Sequence, residues 1–166
     1  MSSPGELRVA ILTISDGVSA AAREDASGAL IEQWVTKRGY GLADRETVPD
    51  ESGPIANVVA RWCDNGSCDV VLTTGGTGLT PRDVTPEATR AILDREAPGI
   101  AEAIRVQGLQ STPRAALGRG VAGVRASTLV INLPGSPSGV SDGLSVLEVF
   151  LDHAVNLVHG RFTTHD

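Results

Sequence analysis

Apolar positions along this chain follow two rhythms, the short continuous runs of buried strands and the spaced stripes of helices. Residues 7–14 (Leu-Arg-Val-Ala-Ile-Leu-Thr-Ile) are nearly all apolar, as expected for a strand covered on both faces. Residues 18–27 are small and polar and read as a loop. Ser27 suits a helix N-cap, after which Leu30, Ile31, Trp34 and Val35 form one stripe that Gly39 ends. Residues 42–48 make a more polar strand, expected nearer the sheet edge and finishing at Pro49-Asp50. Another helix begins at Ser52 or Gly53, with Pro54 near its first turn and Ile55, Val58, Val59 and Trp62 on one side. Residues 69–74 are again apolar and β-branched. Thr85 as N-cap and Pro86 open a helix expected to run to Glu96, and residues 100–107 continue as a second piece after Pro98-Gly99. Residues 112–117 and 121–124 fit either a β excursion or an irregular arm. Residues 127–133 form another strong buried strand, and 144–158 the last helix. Strands alternating with helices predict an α/β fold, a three-layer α/β/α sandwich around a mostly parallel sheet. With no repeat, low-complexity tract or linker, residues 1–166 are expected to form a single domain.

Ligands of open parallel sheets bind beyond the carboxyl ends of the strands, and here those ends carry chemistry. After residues 70–74 comes Gly75-Gly76-Thr77-Gly78-Leu79-Thr80-Pro81-Arg82-Asp83, then a helix start. Strand, glycine loop, charged pair and helix N-terminus is the layout of an anion site. Leu79 stands where a Walker A loop has lysine, so phosphate falls to backbone N–H groups, Arg82 or a metal. The other strand ends deliver Ser15-Asp16, Asp50, and Asn132-Leu133-Pro134-Gly135-Ser136 to the same edge. Three carboxylates (Asp16, Asp50, Asp83) with glycine loops suggest a metal-bridged polyphosphate, because Mg²⁺ takes one or two carboxylates plus phosphate oxygens. Phosphoryl or nucleotidyl transfer needs mainly positioning and charge neutralisation. Each feature also has a plainer reading. The glycine run fits a tight turn, Asp16 an Asx turn, Asp50 and Asp83 helix caps, and residues 132–135 a simple strand end. Arg82, Arg114, Arg119 and Arg125 fit solvated surface cations, with Arg82 the best placed to be an exception.

Composition narrows this further. Only 3% of residues are aromatic, so the core is aliphatic and stacking platforms for single-stranded nucleic acid are missing. A net charge of −6 also argues against nucleic acid as a partner. Lys37 is the one lysine, which leaves anion recognition to arginine and its planar fork. Cys63 and Cys68 match neither a redox nor a zinc spacing and are expected to be structural thiols. His153, His159 and His165 lie on or after the last helix, far from the loops above. No apolar run reaches membrane-spanning length and the N-terminus has no signal-peptide pattern, so a cytoplasmic protein without membrane contact is expected.

The run Thr73-Thr74-Gly75-Gly76-Thr77-Gly78, with Pro81-Arg82-Asp83-Val84-Thr85-Pro86-Glu87-Ala88-Thr89, resembles the signature of the MogA/MoaB family. So do Ile14-Ser15-Asp16, Val48-Pro49-Asp50, Glu96-Ala97-Pro98-Gly99 and the stretch from Thr128 to Ser136. That family includes bacterial molybdopterin adenylyltransferases and the G domains of gephyrin and its plant counterpart. The resemblance implies an α/β/α sandwich, commonly trimeric, that transfers AMP from Mg-ATP to the phosphate of molybdopterin and releases pyrophosphate. Mg²⁺ would arrive transiently with ATP, and a molybdenum-insertion protein of the same pathway is an expected partner. Carried over position by position, Asp50 and Asp83 fall on the catalytic, metal-holding aspartates. Ser15, Asp16, Thr74, Gly75, Gly76, Thr77, Gly78, Arg82, Asn132, Pro134, Gly135 and Ser136 fall on segments that form the substrate pocket. One departure is Leu117-Gly118-Arg119, where relatives usually carry Leu-Ser-Arg. Two other readings stand beside the enzyme: a non-catalytic MoaB-type pterin or nucleotide binder, and a CinA-like pocket for another nucleotide-bearing substrate.

Overall fold

The computed structural model describes residues 6–161. His165 therefore lies outside the described residues. Six strands form one sheet in the order β2-β1-β3-β6-β5-β4. They are β1 (Arg8–Ile14), β2 (Gly41–Val48), β3 (Val70–Thr74), β4 (Arg95–Glu96), β5 (Ala122–Arg125) and β6 (Thr128–Leu133). The first three and β6 run parallel, while β5 pairs antiparallel with β6 and with β4. The helices are α1 (Asp16–Ser19), α2 (Ala26–Lys37), α3 (Ser52–Asp64), α4 (Thr85–Ile92), α5 (Pro98–Leu109) and α6 (Pro137–Val158).

Parallel register makes the two faces of the sheet legible. Val9 lies opposite Val70, which lies opposite Leu129; the next row is Ala10, Val71 and Val130. Because side chains alternate along a strand, the first row enters one core and the second the other. Val9, Val70 and Leu129 pack with Ile31, Trp34 and Val35 of α2, Ile104 of α5, and Leu144, Leu147 and Leu151 of α6. Ala10, Val71 and Val130 pack with Ile55, Val59 and Trp62 of α3 and Ala88 of α4. Helices thus cover both faces, as a three-layer α/β/α sandwich requires. Each fully buried Leu or Ile contributes about 1.5–3 kcal/mol, so this doubly covered centre dominates stability. The edge strand β2 is mostly exposed, in line with its polar sequence.

Several element boundaries differ from the sequence expectation. Residues 16–19 form a single helical turn inside the stretch read as loop, with Ser15 Oγ accepting from the Val18 N–H. Asp25, not Ser27, caps α2, by accepting from the Gly28 N–H. Helix α4 stops at Ile92 instead of reaching Glu96, because the backbone of residues 94–97 bonds to β5. Thr85 does not cap it: its hydroxyl donates to Gly75 O, tying the helix start to the glycine loop. The last helix begins at Pro137, seven residues before the apolar stripe, with Ser136 as its N-cap. Of the ambiguous arm, residues 113–117 are a 3₁₀ turn and residues 122–125 a true strand.

At the opposite edge from the loops, Cys63 and Cys68 are buried. Burial pushes their thiols up to about 11 and about 12, so both stay protonated and unreactive. Asp69 opens β3 there, accepting from the Arg8 guanidinium and the Arg8 N–H. Burial pushes its carboxyl upward, but those Arg8 bonds outweigh it and hold the group below the usual carboxylate range. A lowered folded pKa contributes stability above the unfolded value of about 4, lost as pH falls through the folded one. Asp69→Asn is expected to cost about 1–3 kcal/mol at neutral pH. In urea unfolding the gap from wild type should narrow near pH 3; a gap independent of pH would contradict this.

Candidate functional site

Strand order reverses direction between β1 and β3, the switch point at which open α/β sheets place a ligand crevice. The loops after these two strands are locked together by backbone. Gly75 has φ +100°, and a Cβ on it would meet Ile14 O at 2.1 Å. On the other side, a Cβ on Gly135 would sit 3.3 Å from the Gly75 Cα. Thr74 Oγ1 donates to Pro134 O at 2.7 Å. Ser27, at the start of α2, donates to Gly135 O, also at 2.7 Å. The ends of β1, β3 and β6 therefore meet around one glycine.

This junction separates two cavities. One, of about 380 Å³, is bounded by Ser15, Asp50, Thr74, Gly75, Gly76, Asp83 and Gly135, with Arg23 and Asp25 opposite. The other, of about 200 Å³, is lined by Thr77, Asn132, Pro134 and Ser136, facing Ile104, Arg105, Arg114 and Gly118. Neighbouring residues of both strand-end segments thus face different cavities: Gly76 and Gly135 one, Thr77 and Ser136 the other.

The first cavity is acidic. Asp16 N–H donates to Asp50 Oδ2 at 2.9 Å, and Asp50 N–H returns a bond to Asp16 Oδ1 at 3.0 Å. Asp83 Oδ2 accepts from the Thr80 N–H and hydroxyl, so this carboxylate organises the glycine arm rather than a helix cap. Burial pushes the Asp50 carboxyl above its ordinary value, and the charges of Asp16 and Asp83 push the same way. Asp16 moves oppositely, held low first by the Arg82 guanidinium and then by the Asp50 N–H. Arg82 is engaged through two bonds to Asp16, at 2.9 and 3.1 Å, on the exposed rim. In this arrangement its fork is taken up by Asp16, and Glu51 lies 3.8 Å from the same guanidinium. Asn132 is likewise committed inward: its Nδ2 donates to Thr73 and Thr89, and its Oδ1 accepts the Val121 N–H.

Other groups at the site escaped sequence reasoning. Arg23 lines the cavity and donates to Ser15 Oγ at 2.9 Å. Asp25 accepts from Thr13 and Arg45 as well as from Gly28. Burial pushes its carboxyl up, but these donors together hold it below the ordinary value. Arg119, read as a surface cation, reaches the carbonyls of Gly78 and Asp83. Polar Thr13 interrupting an apolar strand was a signal for the first network. Nothing local marks Arg119, whose partners lie 41 and 36 residues away.

Among the described residues, no group of three His, Cys, Asp or Glu side chains can hold a metal unaided. Asp50 and Asp83 nevertheless fit a hard cation that shares its shell with a ligand. Their Oδ1 atoms have no protein donor among the described residues, and mutual repulsion raises Asp50.

Known proteins resemble this chain over most of its length. The family described as "Probable molybdopterin binding domain" matches residues 10–153. The molybdopterin adenylyltransferase of Escherichia coli K12 is 39% identical over 161 residues, covering 95% of this chain and 81% of that protein. The molybdenum cofactor synthesis protein cinnamon of Drosophila melanogaster is 40% identical over 152 residues; the match covers 89% of this chain and only 25% of that longer protein. Among solved structures, the molybdopterin biosynthesis enzyme MoaB of Thermus thermophilus superposes with a TM-score of 0.87 at 49% identity, covering 93% of this chain and 98% of its own.

Two glycines of the site should respond unequally to a side chain. Gly75→Ala places a methyl against Ile14 O in a backbone region that L residues avoid, and is expected to cost at least about 2 kcal/mol. Gly118 has φ −70°, and its nearest obstacle to a Cβ is Ala115 O at 3.3 Å. Gly118→Ser should cost under about 1 kcal/mol. Denaturant unfolding of both variants checks this, and equal losses would contradict it.

Proposed function

Because the chain belongs to the probable molybdopterin binding domain family, we propose that it is a molybdopterin adenylyltransferase of molybdenum cofactor biosynthesis. It would transfer AMP from Mg-ATP to the phosphate of molybdopterin. The observation that carries this reading is a pair of cavities lined by successive residues of the same two loops, Gly76 and Gly135 facing the acidic one and Thr77 and Ser136 the other. Two reactants joined through a phosphate need adjoining compartments with the reacting phosphorus at the boundary.

In the reaction, a molybdopterin phosphate oxygen forms a bond to the α-phosphorus of ATP as the bond to the β-phosphate oxygen breaks. The electron pair leaves with pyrophosphate. A phosphate is already ionised at neutral pH, so no side chain has to remove a proton. Mg²⁺, held by Asp50 and Asp83, would neutralise charge on the polyphosphate. The chain's own task is positioning, which contributes a large share of such catalysis. Gly75, Gly76 and Gly78 carry no side chain, which lets a phosphate come close to the backbone N–H groups of this loop. Asp16 keeps Asp50 in place through their reciprocal bonds, and Arg82 secures Asp16 from outside.

A homotrimer is the proposed assembly. Val106 and Leu109 on α5 and Val149 and Leu157 on α6 are large, apolar and exposed, which supports burial against further copies. No helix among the described residues is long and apolar enough to cross a membrane. A cytoplasmic site of action, with hand-over to a molybdenum-insertion protein, completes the proposal.

Pyrophosphate release from ATP, dependent on added molybdopterin, tests it. Wild type should turn over, and Asp50→Ala and Asp83→Ala should each lower kcat by at least about 10²-fold while remaining folded. Full activity in both variants would contradict the assigned roles. Molybdopterin binding without pyrophosphate release in wild type would instead favour a non-catalytic binder.

A further inference from the structure

Most of the bonds that Arg119 makes go to one loop rather than to a single carboxylate. Its N–H donates to Thr77 O at 2.9 Å. From the side chain, Nε donates to Gly78 O at 2.8 Å, Nη2 donates to Asp83 O at 2.8 Å, and Nη1 pairs with Glu87. These contacts bracket the arm from Gly78 to Asp83 at both ends. Inside the arm, Asp83 Oδ2 closes the turn on Thr80. That turn is tight: a Cβ on Gly78 would meet Asp83 Oδ2 at 2.8 Å.

The segment that presents Arg119 is itself fixed. Arg105 Nη1 donates to Gly120 O at 2.9 Å and to Gly118 O at 3.4 Å. Next along the chain, Val121 exchanges bonds with Asn132, donating to its Oδ1 and accepting from its N–H. A rigid strap from β6 and α5 thus holds a planar fork against two carbonyl oxygens of the glycine arm. Ion pairing alone does not explain the residue, since its carboxylate partner Glu87 is half exposed and worth little to stability.

We propose that Arg119 is a positioning residue for nucleotidyl transfer, fixing the arm from Gly78 to Asp83 so that the Asp83 carboxylate is preset for the reaction. This rests on the function proposed above for the same site. Arg119 touches carbonyls rather than the cavity that holds Asp83, so it acts through the arm and not on the reactants. Guanidinium geometry is essential to the role. A lysine keeps the charge but cannot serve both carbonyls and Glu87 from one rigid plane.

The test compares Arg119→Ala and Arg119→Lys with wild type by amide hydrogen exchange of the whole chain, thermal unfolding, and pyrophosphate release with kcat and KM separated. Both variants should show faster exchange confined to residues 77–84. Both should lose about 10²-fold in kcat, the scale set by small misplacement of a catalytic group, with KM for ATP changed less than about threefold. Three results would overturn the proposal: unchanged exchange in residues 77–84, full recovery of kcat by lysine, or accelerated exchange across the entire sheet in both variants. The exchange readout needs no turnover. If wild type releases no pyrophosphate, the transfer reading fails while local exchange still decides whether Arg119 fixes the arm.

Discussion

One close backbone approach organises the functional edge of this molecule. Gly75 passes so near Ile14 O that no side chain fits there, and Gly135 packs tightly against Gly75 from the other side. Everything proposed for the site follows from that proximity. It brings the Asp16 turn after β1 beside the glycine arm after β3. It divides the edge into two cavities that share a wall of backbone. The doubly buried strands make this possible, because a parallel register fixed by two aliphatic cores leaves no freedom for the strand ends to separate.

Charge at the edge is balanced by division of labour rather than by neutralisation. Asp16 is satisfied by Arg82 and stays ionised, whereas Asp50 is half-buried and crowded by two other carboxylates. A cation arriving with its phosphate oxygens would relieve that crowding, which gives the empty-handed oxygens of Asp50 and Asp83 a physical reason to exist. Arginines take the structural roles around them. Arg82 secures a carboxylate, Arg119 a loop, and Arg105 the strap that carries Arg119. With Lys37 as the one lysine, planar multidentate contacts do this holding.

Much of this was legible in the sequence. The apolar runs marked the parallel strands, and the rule that ligands gather at their carboxyl ends singled out Ser15, Asp50, the glycine loop and residues 132–136. What could not be read locally was direction. Asn132 lies in the right segment, but its amide turns inward to Thr73, Thr89 and Val121. Arg82 follows the glycine loop in sequence, yet a carboxylate 66 residues earlier claims it. Arg119 has no local mark, since its meaning lies in carbonyls of a distant loop. Helix α6 began earlier than its apolar stripe because Ser136 and Pro137 supply the start signals and Val140 alone of the first turn is buried in the core. Helix α4 ended early because residues 95–96 found strand partners in β5, a tertiary choice overriding helical pattern.

The most direct measurement is a crystal structure of the protein with ATP, Mg²⁺ and molybdopterin. Expected are the triphosphate against the backbone of Gly75 to Gly78 with the cation between Asp50 and Asp83, and the pterin phosphate at the Gly75–Gly135 boundary. Nucleotide bound on another surface, with Asp50 and Asp83 free of both cation and phosphate, would contradict it.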